Sequence, residues 1–283
     1  MEVRNIAVLG LGIMGHGIAQ VSAQSGFNVF AYDINEEAIS KGITGVSKSL
    51  ERMTSKEKIS REEADLTLSR LHTSTDLRKV AEQADIVIEA IPEVLDLKKE
   101  LFRKISSSLR PEVIIASNTS QFSISDLASA TDRPDRFIGM HWFNPPQVMR
   151  LVEIVRGLET SDATLKTVQD LCGRFGKKTV VCRKDMPGFI TTRMINAFLA
   201  EAYRIVEEGV ATPADVDEAV RLAFNYPMGP LELADFSGLD TALRTTTALA
   251  EAYGDHFRPT STLKNLVRAG HLGRKTGKGW QRY

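Results

Sequence analysis

The sequence has no excess of charge of either sign, because its 36 basic and 36 acidic residues cancel. A balanced chain lacks the positive field that attracts nucleic acid or a membrane surface, so the expected partner is a small molecule or another copy of the chain. Cysteine is also scarce, with only Cys172 and Cys182 present. Two small buried residues are a simpler interpretation than a disulfide, and nothing else indicates an oxidising compartment.

Long apolar runs are missing as well, and no stretch approaches the roughly 20 residues that a membrane-spanning helix needs. The first residues lead directly into a strand-like run, RNIAVLG, without the features of a signal peptide or an arginine-rich transit segment. We therefore expect a cytoplasmic protein that contacts no membrane. The content of 42% hydrophobic and 25% charged residues is ordinary for a globular enzyme.

The first part of the chain alternates short apolar runs with helical patterns. Several runs are continuous in Val, Ile and Ala, which is typical of strands covered on both faces. We predict strands near 5–10, 28–33, 85–91, 113–117, 136–142, 150–156 and 178–182, with helices near 13–25, 35–53, 97–108 and 161–175. This alternation predicts an α/β fold with a doubly wound, mostly parallel sheet.

Two stretches depart from the alternation. Residues 54–72 are polar and charged, and we interpret them as a helix and turn that project from the sheet. After Pro187 the strand pattern stops, and helical patterns follow at 188–209, 213–224, 229–252 and 261–269. The sequence therefore predicts an N-terminal domain at 1–184 and an all-α C-terminal domain at 185–283, divided where RKDMPG breaks the chain.

A glycine motif marks the first predicted strand–helix junction. In VLGLGIMGHGIA, the residues Gly10, Gly12 and Gly15 have the spacing G-x-G-x-x-G. Between a strand and a helix, such glycines permit a tight turn and the close approach of a pyrophosphate, which indicates a Rossmann-type dinucleotide site rather than a merely flexible loop. Asp33, at the end of the next strand, can accept hydrogen bonds from ribose hydroxyls and would repel a 2′-phosphate, so NAD is favoured over NADP.

The stretch MHWFNPP places His141 among apolar residues just before a turn, either as a catalytic base or as a core histidine. A short Asn-Pro-Pro turn joins the predicted strands 136–142 and 150–156. An antiparallel pair would bring His141 roughly opposite Glu153, with Cβ atoms about 4.5–5.5 Å apart. Glu153 could then fix the imidazole tautomer and stabilise the imidazolium, and a neutral imidazole suits proton removal near neutral pH.

Asn118 and Ser120 follow the predicted strand 113–117. Ligands of open α/β sheets bind at the carboxyl ends of the strands, so this segment and the glycine motif would share one edge of the sheet. Ser120 is therefore a candidate substrate contact. The alternative is that it caps a helix over 122–130, and the two roles can coexist.

Several sequence blocks, taken together, resemble one family. They are DIVIEAIPE, ASNTSQFSI, GMHWFNPPQVMRLVEIVRG, DMPGFITTR, NYPMGPLELADFSGLDT and LGRKTGKGW. Over nearly its whole length the chain is similar to the short-chain L-3-hydroxyacyl-CoA dehydrogenases, which include 3-hydroxybutyryl-CoA dehydrogenases. The histidine block and the P-M-G-P block together are specific, whereas the glycine motif alone is not.

The resemblance implies that the chain oxidises the 3-hydroxyl of a short-chain acyl-CoA to a ketone with NAD and without a metal. His141 matches the catalytic histidine, Glu153 the glutamate that pairs with it, and Ser120 the serine that contacts the substrate oxygen. Together with the expected strand pairing, this favours catalysis by His141 over a core histidine.

Further positions match residues that lie at the cofactor in the family. Asn118 corresponds to a residue beside the nicotinamide. Glu93 and Lys98 correspond to positions near the cofactor, and Lys275 to a cofactor-proximal lysine in the tail motif.

The family also binds CoA in the region of residues 54–72. Lys56 and Lys58 in this region are either a clamp for the CoA phosphates or part of a solvated helical face. Thr192 stands where the family has the asparagine of P-G-F-x-x-N-R, so the polar network near the substrate is expected to differ. For the C-terminal domain the resemblance implies closure over the substrate and homodimer formation.

Two rival interpretations stay open. One is a related NAD-dependent dehydrogenase of sugar acids, such as a gulonate dehydrogenase, which shares the scaffold but needs no CoA. The other is a non-catalytic, crystallin-like protein that binds NAD, and the presence of His141, Glu153 and Ser120 argues against it.

Overall fold

The strands form one eight-stranded sheet in the computed structural model, which describes residues 2–283. They are β1 (Asn5–Leu9), β2 (Asn28–Tyr32), β3 (Leu71–Ser74), β4 (Ile86–Glu89), β5 (Ile114–Ser117), β6 (Phe137–Trp142), β7 (Leu151–Arg156) and β8 (Lys178–Cys182). Their order across the sheet is β3-β2-β1-β4-β5-β6-β7-β8. Within the described residues, every neighbouring pair is parallel except β6 and β7. The predicted doubly wound, mostly parallel sheet is confirmed.

The central strands are buried on both faces. Every residue of β4, β5 and β6 is buried, which explains why the sequence shows continuous apolar runs there instead of alternation. The helices that accompany the strands are α1 (Gly15–Gln24), α2 (Glu36–Ser55), α3 (Arg61–Ser69), α4 (Leu77–Gln83), α5 (Leu95–Ser106), α6 (Ile124–Ala128) and α7 (Asp162–Arg174). Side chains fix several helix starts; Asn35, for example, accepts a hydrogen bond of 2.8 Å from the Ala38 N–H at the start of α2.

The interpretation of residues 54–72 as only a projecting helix and turn is wrong in its last part. The helix α3 is present, and its Ala64 packs against Val46 and Leu50 of α2. The chain then enters β3, which pairs with β2 at the edge of the sheet. The sequence LHTS did not indicate a strand because it is short and no residue of this edge strand is fully buried, so it needs no apolar run.

The direction in which successive strands are added to the sheet reverses between β1 and β4. β2 and β3 lie on one side of β1, and β4 to β8 lie on the other. The residues that follow β1, β4 and β5 are Gly10, Ala90 and Asn118, and because these strands are parallel they emerge at the same edge. This switch point is where an open α/β sheet offers a crevice for a ligand.

The chain divides into two compact units, with the boundary between Met186 and Pro187. The second unit is built from α8 (Thr191–Glu207), α9 (Pro213–Phe224), α10 (Pro230–Ser237), α11 (Leu239–Tyr253) and α12 (Ser261–Arg268). Leu231, Leu239 and Leu263 are fully buried in its core. The expectation of an all-α C-terminal part is confirmed. Among residues 2–283, no helix combines the length and apolar character needed to cross a membrane.

The expectation of one helix over 229–252 is wrong, because α10 and α11 are separate helices. Gly238 stands between them with φ of +95°, a conformation outside the helical region that a glycine adopts readily. The start of α8 also lies later than predicted. Gly188 and Phe189 have φ of +75° and +49°, so the helix begins only at Thr191.

Candidate active site

The glycine motif forms a tight loop between β1 and α1. A Cβ atom on Gly10, which has φ of +93°, would lie 2.8 Å from the Ala90 carbonyl oxygen, and one on Gly15 would lie 1.7 Å from the Gly10 oxygen. A Cβ on Gly12 would meet no atom within 4 Å. Gly10 and Gly15 are therefore required by the backbone itself, whereas Gly12 faces open space where a ligand can approach.

Asp33 lies beside this loop, just after β2. One carboxylate oxygen accepts a hydrogen bond of 2.7 Å from the Leu11 N–H, and the other accepts one of 2.7 Å from the Ile34 N–H. The side chain is thereby held at the edge of the sheet while still half exposed. Each carboxylate oxygen has a second lone pair, so Asp33 can still accept hydrogen bonds from ribose hydroxyls.

A cleft of about 590 Å³ extends along this edge of the first unit. It is lined by Gly10, Gly12, Ile13, Met14, Asp33, residues 90–93, Asn118, Ser120 and residues 141–144. The glycine loop, the acceptor after β2 and the open space at Gly12 are the features that a dinucleotide requires, and the residues present therefore fit NAD.

His141 and Glu153 face each other across β6 and β7. The antiparallel register pairs the two residues directly, as the short turn predicted. His141 Nδ1 lies 2.9 Å from a Glu153 carboxylate oxygen, and Glu153 is fully buried. With the Nδ1 proton directed at Glu153, Nε2 is the unprotonated nitrogen of the neutral ring. His141 itself lines the cleft, so the arrangement is that of an oriented base at a ligand site.

Asn118 connects the ends of β5 and β6 next to this pair. Its Oδ1 accepts a hydrogen bond of 3.0 Å from the Trp142 N–H, and its own N–H donates to the Glu89 carbonyl at 2.9 Å. Since Asn118 lines the cleft, its side-chain nitrogen can donate to a bound ligand.

Two family models cover the two units of the chain. The model of the 3-hydroxyacyl-CoA dehydrogenase NAD binding domain matches residues 5–186, and that of the C-terminal domain matches residues 188–283. The chain belongs to the 3-hydroxyacyl-CoA dehydrogenase family. It is accordingly an oxidoreductase with an NAD-binding domain.

Individual relatives support this family membership over the full length. A probable 3-hydroxybutyryl-CoA dehydrogenase of Bacillus subtilis is 45% identical over 284 residues, covering 100% of this chain and 98% of the relative. The 3-hydroxybutyryl-CoA dehydrogenase of Bradyrhizobium diazoefficiens is 40% identical over 282 residues, 99% of this chain and 96% of the relative. The crystal structure of (S)-3-hydroxybutyryl-CoA dehydrogenase from Ralstonia eutropha matches with a TM-score of 0.97 at 43% identity, covering 100% of this chain and 99% of that one.

In this 3-hydroxyacyl-CoA dehydrogenase, Ser120 lies in a turn organised by Glu93. One Glu93 oxygen accepts hydrogen bonds from the Thr119 hydroxyl at 2.5 Å and the Ser120 N–H at 2.9 Å. Ser120 lines the cleft together with His141. The alternative that Ser120 caps the next helix is wrong, because Ser123 is the residue that accepts the capping hydrogen bond at the start of α6.

Lys98 does not line the cleft, although it was expected near the cofactor. Its side chain is 1% exposed, and the ammonium lies 2.5 Å from Glu89 and 3.1 Å from Glu93. It can therefore act on a cofactor only through Glu93, which does line the cleft. Glu89 is a residue that the sequence interpretation missed; the available signal was a charged residue inside the otherwise apolar strand DIVIEAI.

The remaining candidates in the first unit are Lys56 and Lys58. Both are exposed and lie in the turn between α2 and α3, and neither is part of the cleft lining. Exposed lysines can bind phosphate as point charges, so a contact with CoA stays a prediction.

Two candidates lie in the second unit. Thr192 is half buried in the first turn of α8, and the Asn196 amide donates a hydrogen bond of 2.8 Å to the Thr192 carbonyl. This amide nitrogen is engaged within its own helix, so Asn196 is a weak substitute for the asparagine that the family has at 192. The Lys275 ammonium lies 2.6 Å from the Asp240 carboxylate, at the start of α11.

Proposed function

We propose that the chain interconverts a short-chain (S)-3-hydroxyacyl-CoA and the corresponding 3-ketoacyl-CoA with NAD, with 3-hydroxybutyryl-CoA and acetoacetyl-CoA as the preferred pair. The observation that carries the proposal is the buried His141–Glu153 pair, in which His141 lines a cleft that fits a dinucleotide. Family membership supports the reaction, and the similarity to 3-hydroxybutyryl-CoA dehydrogenases supports a four-carbon acyl group.

The proposed roles follow from where the side chains lie. NAD, when bound, accepts the hydride that leaves the 3-carbon of the substrate. His141 Nε2 takes the proton of the 3-hydroxyl, and Glu153 stabilises the resulting imidazolium through Nδ1. Ser120 donates a hydrogen bond to the substrate oxygen, and Asn118 orients the nicotinamide end of the cofactor.

The preference for NAD is attributed to the glycine loop and to Asp33, which line one part of the cleft. Gly10 and Gly15 shape the loop, and the space at Gly12 admits the pyrophosphate. Asp33 would repel the additional phosphate of NADP, which supports a preference for NAD. Of the other candidates, Lys56 and Lys58 are proposed as CoA contacts. Thr192 and Lys275 are proposed as a substrate and a cofactor contact, respectively.

We also propose that the chain forms a homodimer through its second unit. Three large apolar side chains on α8 and α9 are mostly exposed, namely Met194 at 69%, Leu222 at 76% and Phe224 at 63%. Exposed apolar side chains of this kind are typical of surfaces that associate. Sedimentation of the purified chain tests this, and a monomer at micromolar concentration would contradict it.

A cytoplasmic location is proposed as well. Cys172 and Cys182 are both buried and unpaired with each other, as expected where thiols stay reduced. Burial raises the pKa of the Cys172 thiol to about 12, so this thiol stays protonated and unreactive at neutral pH.

The decisive experiment is an assay with acetoacetyl-CoA and NADH. Rapid, substrate-dependent loss of NADH absorbance is the expected result. NADH turnover only with the keto forms of sugar acids would instead support the sugar-acid dehydrogenase alternative. Binding of NADH without turnover of any of these compounds would contradict a catalytic function.

A further inference from the structure

A buried charge cluster lies directly behind the cleft. Glu89, the last residue of β4, is 0% exposed, and Lys98 of α5 is 1% exposed. The Lys98 ammonium lies 2.5 Å from one Glu89 oxygen and 3.1 Å from one Glu93 oxygen. Burying the ionisable side chains of Glu89 and Lys98 is unfavourable unless they are paired, so an arrangement of this kind calls for an explanation.

The carboxylate of Glu89 is surrounded by hydrogen-bond donors. One oxygen accepts hydrogen bonds from Lys98 at 2.5 Å and the Ile91 N–H at 2.8 Å, and the other accepts one of 2.6 Å from the Ser117 hydroxyl. Burial is the larger effect and raises the pKa of Glu89, whereas these three donors oppose it by favouring the charged form. The fully buried ammonium of Lys98 needs a charged partner in contact, and Glu89 is the nearer carboxylate.

Glu93 is the member of the cluster that reaches the cleft. Its side chain is 29% exposed and lines the cleft, whereas Glu89 and Lys98 do not. Two carboxylates and one ammonium leave one net negative charge. Because Glu89 is buried and closer to Lys98, this charge resides on the Glu93 side and acts on whatever occupies the cleft.

The order of the strands in the sheet indicates which end of the cofactor the negative charge of Glu93 faces. Asp33 follows β2 and suits the adenosine ribose, whereas Glu93 follows β4 and lies beside Asn118 and Ser120 after β5. A dinucleotide extended along the edge from β2 therefore places its nicotinamide toward β4 and β5. Only the oxidised nicotinamide ring carries a positive charge, so a negative charge here distinguishes NAD⁺ from NADH.

We infer that Glu89 is a positioning residue that sets the relative affinity for the two oxidation states of the cofactor. By holding the Lys98 ammonium inside the sheet, it leaves the charge of Glu93 available to favour NAD⁺ over NADH. The inference rests on the NAD dependence of the proposed function. It concerns cofactor binding alone, and acyl-CoA is omitted from its test.

Glu89→Gln tests the inference with little change in shape. The glutamine oxygen can accept from Lys98 and Ile91, and its amide can donate to the Ser117 oxygen. Lys98 then pairs with Glu93 alone, and the cluster becomes neutral. The ratio Kd(NAD⁺)/Kd(NADH) should rise about fivefold, as expected when one partly screened charge is removed near a charged ring. NADH affinity is measured by fluorescence titration and NAD⁺ affinity by competition against it.

Two matched variants separate charge from structure. Ser117→Ala removes one hydrogen bond to Glu89 without changing charge, so it should leave the ratio unchanged. Glu93→Gln removes the cleft charge directly and should raise the ratio at least as much as Glu89→Gln. Melting temperature is measured for all three.

The outcomes are distinct. Equal weakening of NAD⁺ and NADH in Glu89→Gln would mean a purely structural role and overturn the inference, as would a shifted ratio in Ser117→Ala. If Glu89→Gln does not fold, the Glu93→Gln variant provides the test. An unchanged ratio Kd(NAD⁺)/Kd(NADH) in Glu93→Gln would show that the charge of Glu93 does not favour NAD⁺, and the inference would then fail. A wild-type chain that does not bind NADH would contradict the proposed function itself, whereas wild-type binding with unchanged variant ratios contradicts only the role of Glu89.

Discussion

Replacement of Glu153 by glutamine isolates the role of charge in the catalytic pair. The side chain is fully buried, and one carboxylate oxygen lies 2.9 Å from His141 Nδ1. Glutamine has nearly the same size, and its oxygen can still accept a hydrogen bond from Nδ1. The ring of His141 can therefore keep its orientation, while the imidazolium formed during the reaction loses its negative partner.

The expected size of the effect follows from the difference between charged and neutral hydrogen bonds. A bond to a charged group contributes about 1.5–3 kcal/mol and a neutral one about 0.5–1.5 kcal/mol. The difference of about 1–1.5 kcal/mol applies only while His141 carries its second proton, and it corresponds to roughly a tenfold loss of kcat. His141→Ala removes the base altogether and should lower kcat by roughly 10²–10⁴.

The assay is the initial rate of (S)-3-hydroxybutyryl-CoA oxidation with NAD, followed by the appearance of NADH absorbance. NADH affinity, measured by fluorescence, should be unchanged in both variants. His72→Ala is the matched control, because His72 is exposed on the edge strand β3 and should leave kcat near the wild-type value. A His141→Ala enzyme that retains more than about a tenth of its kcat would place the base elsewhere. Wild-type kcat in Glu153→Gln would refute the role of the charge.

Three further predictions concern binding. Asp33→Ala should weaken the preference for NADH over NADPH in kcat/KM, and a wild type that prefers NADPH would contradict the assignment. Lys56→Ala combined with Lys58→Ala should raise KM for acetoacetyl-CoA but not for a truncated pantetheine thioester. The control is Lys166→Ala, which removes another exposed lysine. Equal effects on both substrates, or the same rise of KM in the control, would exclude a phosphate contact. Thr192→Val should lower kcat/KM roughly two- to tenfold, the equivalent of one hydrogen bond of about 0.5–1.5 kcal/mol, with melting temperature unchanged. Wild-type kinetics would show that the Thr192 hydroxyl has no part in the reaction.

Some features of the site could be predicted from the sequence because they depend on neighbouring residues alone. The glycine spacing between a strand and a helix is sufficient to define the loop, since the backbone of Gly10 and Gly15 leaves no space for a Cβ. The pairing of His141 with Glu153 was predictable for a similar reason. Folding the chain back about the Asn-Pro-Pro segment within the connection 143–150 brings the two strands together in antiparallel register, and this register places the two side chains opposite each other.

Other local expectations failed where two solutions fit the same sequence. Both Ser120 and Ser123 precede the helix α6, and only the backbone geometry decides that Ser123 caps it. Gly238 is compatible with a continuous helix or with a break, and only the structure, in which its φ is +95°, shows the break between α10 and α11.

The tertiary structure alone decided the environment of Lys98. In the sequence it is a charged residue of an amphipathic helix, and nothing in the spacing indicates that it is buried. The order of the strands places β5 beside β4 and brings Ser117 within hydrogen-bond distance of Glu89, while α5 directs Lys98 at the same carboxylate. Contacts between residues far apart in the chain depend on which strands become neighbours, and periodicity within one segment carries no information about that choice.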